Sequence, residues 1–139
     1  MFGPDSANTG FSGLNYVLDT TESTAHPELL GFWATFLESQ GMSVIDMTAE
    51  EHDREAAYTQ GITHFLGRVL DHFDIAPSSI ATQGYKSLVE LKENTCNDTK
   101  ELFHDLQCLN RFTDPMRREL EKSFLEVDQE IKSGCVIGS

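Results

Sequence analysis

A chain of 139 residues with 23 acidic and 10 basic side chains carries a formal net charge of -13, which repels phosphate backbones and anionic lipid and argues against nucleic-acid and membrane partners. With 39% hydrophobic residues, the length suits one domain with a real core, and no apolar run approaches the roughly 18 residues of a membrane span or the pattern of a secretory leader. Cys96, Cys108 and Cys135 are widely spaced and form no Cys-x-x-Cys pair, so reduced thiols in a cytosol-like compartment are expected rather than a disulfide framework or a zinc knuckle.

Residues 1–13 are rich in Gly, Ser, Asn and Asp and read as loop. Leu14 to Leu18 has the β-branched and aromatic character of a short strand, and Met42 to Met47 repeats it after Gly41. Between them Pro27 opens a stretch in which Leu29, Leu30, Trp33, Phe36 and Leu37 recur at helical spacing. The three elements predict a β-α-β unit, right-handed if its strands are parallel. Two strands alone are marginal without more sheet or a covering layer, which hints at a larger parent.

Thr48-Ala49-Glu50-Glu51 is a capping box, and a long helix is predicted from there to about Phe73. Pro77 and Ser78-Ser79 break it. Helices follow over 82–96, 98–110 and 114–132, the last opened by an Asp114 cap and Pro115 and closed by Gly134 in a left-handed conformation. The fold class is therefore mainly α, a helical region over 48–139 preceded by a small β-α-β part over 1–47.

Along the first long helix His52, Ala56, Gln60 and His64 follow at four-residue steps, which places them on one face about 6 Å apart per step. An amide and an imidazole in one groove can hold a small polar ligand, although a lone histidine is more often a solvated or satisfied residue. His52-Asp53 has the dyad of HD-type metal phosphohydrolases without the further ligands these need, so no metal site is expected. Gly-x-Ser-x-Gly, a P-loop and Gly-x-Gly-x-x-Gly after a strand are all absent, which excludes nucleotide binding by the ordinary fingerprints within these residues.

Three blocks in order, Met1 to Ser6, then Glu51 to Arg54 with Gln60 to His64, then Gly84 to Asp98, resemble the arogenate/prephenate dehydrogenases, most of all the plant-like arogenate branch. The resemblance runs over roughly residues 1–112. It implies an enzyme that oxidises a ring hydroxyl of arogenate or prephenate by hydride transfer to NADP or NAD, with loss of carbon dioxide giving the aromatic ring of tyrosine. It also implies a homodimer paired through the helical part, in the cytoplasm or, for a plant source, the plastid.

By the same resemblance, residues 1–47 correspond to the closing β-α-β part of a dinucleotide-binding domain, and 48–139 to the substrate-binding and dimerisation domain. The family's general base is a histidine preceding the Met-Phe-Gly-Pro block, so no catalytic residue is expected in this chain, no cofactor is expected on it, and it should be inactive alone. Gln60 and His64 match substrate-contacting positions, His64 facing a carboxylate or carbonyl, while Asp5 matches the pocket rim. Asp98 matches the aspartate that meets the side-chain ammonium of arogenate, with capping of the next helix as its alternative role. By the resemblance, many bacterial members carry an arginine for the ring carboxylate where this chain has Glu90, leaving as anchor either Lys86, Lys92 or Arg68, or a group from the nucleotide-binding domain or a partner subunit. The competing reading is a stand-alone helical module that serves only dimerisation or regulation.

Overall fold

The computed structural model describes residues 10–19, 21 and 26–134. Asp5 and Cys135 lie outside them. The mainly helical class expected from the sequence is what is observed: β1 (Asn15–Leu18), α1 (Pro27–Ser39), β2 (Ser43–Asp46), α2 (Ala49–Ala56), a π-helical turn (Ala57–Gly61), α3 (Ile62–His72), α4 (Gln83–Cys96), α5 (Lys100–Cys108) and α6 (Thr113–Gly134). These elements fall into two compact units, one reaching to His52 and one starting at Asp53.

In the first unit β1 and β2 pair in parallel, Asn15 opposite Ser43 and Leu18 opposite Asp46, so the expected β-α-β unit is present. Its helix ends in a Schellman motif. Gly41 takes φ +82°, the Met42 N–H donates to Leu37 O at 3.2 Å and the Gly41 N–H to Glu38 O at 2.9 Å. Leu37 and Met42 are buried as a result. A side chain at Gly41 would be strained by that φ and crowded by Ser12, whose atoms lie 3.2–3.3 Å from the position a Cβ would take.

The predicted core face of α1 needs correction. Of its five apolar residues only Leu37 is buried, whereas Leu29, Trp33 and Phe36 stay about half exposed. With Phe32 they form an aromatic cluster, Trp33 edge-on to both Phe32 and Phe36 at 5.9 and 5.8 Å between centroids. A helix apolar on more than one side has more surface to bury than two strands offer.

The capping box forms as the sequence predicts. The Glu51 N–H donates to Thr48 Oγ1 at 3.2 Å and the Thr48 N–H donates back to Glu51 Oε2 at 3.0 Å, which holds the Glu51 carboxyl below the usual carboxylate range, chiefly through that backbone bond. Asp19 Oδ2 adds a third acceptor, for the Ala49 N–H at 2.9 Å.

The second unit is built on a tight α3–α4 pair. Gly67 lets the helices touch: a Cβ there would sit 1.8 Å from Thr95 Oγ1. Thr95 is buried and satisfied by donating to Leu91 O at 2.8 Å, and Cys96 Sγ reaches Gly67 O at 3.6 Å. At the other end, Asp74 takes the left-handed position (φ +62°) and the Ile75 N–H donates to Leu70 O at 3.1 Å, a second Schellman closure without glycine. Tyr85 and Lys92 of α4 donate to Ala76 O and Ile75 O at 2.8 and 3.0 Å, so α4 runs back along α3. Ala57, Ile75, Val89 and Met116 supply the buried apolar core.

The last helix starts one residue before the expected cap. Asn110 Oδ1 accepts from the Phe112 N–H at 2.9 Å and Asn110 O from the Thr113 N–H at 3.2 Å, so Asn110 organises the entry and Asp114 becomes a first-turn carboxylate paired with Arg117 and Arg118. Gly134 is still helical rather than left-handed.

Candidate functional site

The predicted long helix is interrupted by the π-turn at Ala57–Gly61, where the Ile62 N–H donates to Ala57 O five residues back. Gln107, buried on α5, donates from Nε2 to Gly61 O, the last carbonyl of the turn, at 2.8 Å. Its Oε1 accepts from Arg117 Nη1 at 2.9 Å, and its backbone O accepts from Thr113 Oγ1 and Arg117 Nη1, both at 2.8 Å. Gly61 has no room to vary, since Thr113 Cγ2 lies 3.2 Å from a Cβ placed there. Tyr58 on the same turn bonds the Glu119 side chain, which raises its phenol above the ordinary range.

A π-turn holds one extra residue, so a row drawn at 3.6 residues per turn is displaced by about one residue across it. The straight His52–Ala56–Gln60–His64 row therefore does not persist. Gln60 lies inside the turn with an exposed side chain, while His64 sits one turn into α3 and is 13% exposed.

His64 meets Asp98. Its Nδ1 is 3.2 Å from Asp98 Oδ2 but without hydrogen-bond alignment, so that buried nitrogen has no hydrogen-bond partner among the described residues. Asp98 stands between α4 and α5, and its own carbonyl accepts from Arg68 Nη2 at 2.9 Å. The Arg68 guanidinium lies over the Phe103 ring at 5.2 Å, and its Nε is buried with no hydrogen-bond partner among the described residues. His64 and Arg68, four residues apart on α3, thus hold the side chain and the backbone of one aspartate. A buried donor left unmatched costs about 1–3 kcal/mol, which native proteins tolerate mainly where it serves a purpose.

Capping is not what Asp98 does. Thr99 caps α5, its Oγ1 accepting from the Leu102 N–H at 3.2 Å, because a residue one position nearer the helix competes better for that amide. The Asp98 carboxylate is left free to turn to His64.

Of the three cations considered for an anion, Lys92 is engaged by Ile75 O and by Asp71 at 3.6 Å. Lys86 is in the first turn of α4, ten residues or about 15 Å of helix from the end that carries Cys96. Arg68 alone stands beside Asp98. Glu90 is exposed on α4.

The β1–α1 connection does not fit the pyrophosphate of a nicotinamide dinucleotide. In sequence β1 leads to α1 without a glycine, and Glu28 puts a carboxylate in the first turn of α1, where a pyrophosphate would need bare N–H groups. Among the described residues no three His, Cys, Asp or Glu side chains cluster as metal ligands, and no helix is long and apolar enough to cross a membrane.

Residues 69–135 match the family described as TYRAAT1-like, C-terminal domain. Over 134 residues the chain is 34% identical to Arogenate dehydrogenase 2, chloroplastic, of Arabidopsis thaliana, and over 138 residues 32% identical to Arogenate dehydrogenase 1, chloroplastic, of the same plant. The chain is thus similar to the C-terminal region of arogenate/prephenate dehydrogenases. A Methanocaldococcus jannaschii protein named as a probable arogenate/prephenate dehydrogenase is 29% identical over 140 residues. The matches cover 94–96% of this chain but only 37%, 22% and 30% of these relatives, and they lie in the C-terminal region of the family. The resemblance read from three sequence blocks is thereby borne out.

Sequence reasoning did not find the Phe103 platform under Arg68 or the Gln107 hub. A signal for the first was present: Arg68 precedes Phe103 by 35 positions on two helices, but only the fold brings them together. For Gln107 the signal was weak, a single amide between Leu106 and Cys108.

Proposed function

We propose that the chain is the substrate-binding and subunit-pairing part of an arogenate dehydrogenase, whose whole-enzyme reaction is the NAD(P)-dependent oxidative decarboxylation of arogenate to tyrosine. The observation that carries this reading is the His64–Asp98 contact at 3.2 Å on the side of α3, made by two residues that the family resemblance had picked out separately. In the proposal Asp98 takes the side-chain ammonium of arogenate, His64 a carboxylate or carbonyl, and Gln60 a further polar group. Asp5 contributes at the pocket rim. When bound by the whole enzyme, the nicotinamide group accepts the hydride; residues of this chain bind, orient and select the substrate.

The domain division belongs to the same proposal. Residues 1–47 form the closing β-α-β part of the dinucleotide-binding domain, a role supported by the exposed aromatic cluster on α1, which suits a helix designed to lie against more sheet. Residues 48–139 form the helical domain. Pairing of two chains through it is supported by the exposed Phe124, Leu125, Val127 and Ile131 on α6. The 139 residues alone are expected to transfer no hydride, since the cofactor is held elsewhere in the enzyme.

The test is kinetic. In a full-length enzyme carrying these residues, His64→Asn should raise KM for arogenate about tenfold or more, as expected for losing a charge-assisted contact worth roughly 1.5–3 kcal/mol. An unchanged KM with a fully folded variant would remove His64 from the site. A stand-alone module would instead show no arogenate-dependent activity in any assembly containing this chain.

A further inference from the structure

One turn beyond the His64–Asp98 contact, α3 and α5 border a groove of about 540 Å³. Phe65 and Val69 of α3 and Phe103 of α5 give it an apolar floor. Arg68 and His72 rise from α3 at its edge, and Lys100 and His104 from α5. The spacing explains the convergence: positions 65, 68, 69 and 72 share one face of α3, and 100, 103 and 104 share one face of α5. No carboxylate lines the groove, in a chain with 23 acidic against 10 basic residues. Neither Arg68 nor Lys100 forms an ion pair among the described residues; the one polar bond described for the Arg68 guanidinium goes to a backbone carbonyl.

We propose that this groove binds a small apolar monocarboxylate, its hydrocarbon or aryl part on Phe65, Val69 and Phe103 and its carboxylate between Arg68 and Lys100. Charge decides the sign of the ligand. Two uncompensated cations over a low-dielectric floor favour an anion, and the net charge of -13 would otherwise repel it. The volume lies within the roughly 300–1,000 Å³ of small-ligand sites. Its walls also fit a small molecule better than a helix. The α3 wall runs from Phe65 to His72, about 10 Å, and the α5 wall from Lys100 to His104, about 6 Å, whereas a helix with side chains is about 10–12 Å across. The inference needs neither Asp98 nor His64, but it shares Arg68 with the dehydrogenase reading, in which that cation stands beside Asp98.

The experiment is a two-dimensional ¹⁵N–¹H NMR titration of the chain with 3-phenylpropionate, with the neutral 3-phenylpropionamide as the control. Saturable shifts should centre on Phe65, Val69 and Phe103, and the amide should bind at least about fivefold more weakly, the scale of one or two partly exposed ion pairs. Lys100→Glu should weaken the acid by about fivefold or more and leave the spectrum dispersed, since an acidic side chain in the first turn of α5 favours the helix. Equal binding of acid and amide overturns the proposal, as does a lack of saturation or shifts centred on α6. Groove resonances that change with protein concentration and then resist the acid overturn it too, because they assign the groove to a second copy of the chain.

Discussion

Asp98→Asn removes one charge and keeps the shape of the side chain. At about 4 Å and an effective dielectric near 20, a carboxylate and an ammonium attract by up to ~4 kcal/mol before desolvation. The Asp98 side chain is 32% exposed, so solvent screening reduces this. About 1–2 kcal/mol should remain as discrimination between arogenate, which carries the ammonium, and prephenate, which carries a keto group there. In a full-length enzyme, the ratio of kcat/KM for arogenate to that for prephenate should fall roughly 5- to 30-fold, with the prephenate value rising in absolute terms. Reduced cofactor formed in initial-rate assays with each substrate measures it. Because Thr99 caps α5, the variant should lose less than about 1 kcal/mol of stability. A parallel fall for both substrates, or a Tm drop beyond about 5 °C, would refute the reasoning and return Asp98 to a structural role.

Three further perturbations probe the scaffold. Gly67→Ala places a methyl 1.8 Å from Thr95 Oγ1 and 2.9 Å from its Cβ, so α3 and α4 must separate; a loss of about 1–3 kcal/mol should lower Tm by about 3–10 °C in thermal unfolding. The Glu51 carboxyl should titrate below an ordinary glutamate in ¹³C NMR, chiefly through the Thr48 N–H, and return towards it in Thr48→Pro, which removes that N–H. The sign follows from linkage: a carboxyl lowered on folding adds stability above its unfolded pKa, and this contribution is lost as pH falls through the lowered folded value. Ile131→Lys puts a charge on the exposed apolar face of α6; if the proposed pairing holds, light scattering at tens of micromolar should give a dimer for the parent chain and a monomer for the variant, with the far-ultraviolet helical signal unchanged.

Local chemistry was legible in the sequence where the partners are neighbours. The capping box needs only Thr48 and Glu51, three residues apart, and it formed with both reciprocal bonds. The two strands and the helix breaks near Pro77 and before Thr99 were legible from local composition, while the parallel pairing, which joins Asn15 to Ser43, was left open. What escaped was set by residues far apart. No period within the helix announced the π-turn, and the Gln107 bond to Gly61 O joins residues 46 positions apart. The exposed face of α1 is apolar like a core face, and periodicity cannot say whether anything covers it. At Asp98 the sequence offered two roles of equal local merit; the hydroxyl of the next residue took the cap, and Arg68 and His64, 30 and 34 positions away in sequence, took the aspartate.

The most direct measurement is a crystal structure of a full-length enzyme containing this chain, with arogenate bound. The account predicts the side-chain ammonium of arogenate about 3 Å from an Asp98 carboxylate oxygen, with a substrate carboxylate or carbonyl at a similar distance from the His64 ring. An arogenate molecule bound with its ammonium turned away from Asp98, and with His64 still facing only that aspartate, would contradict it.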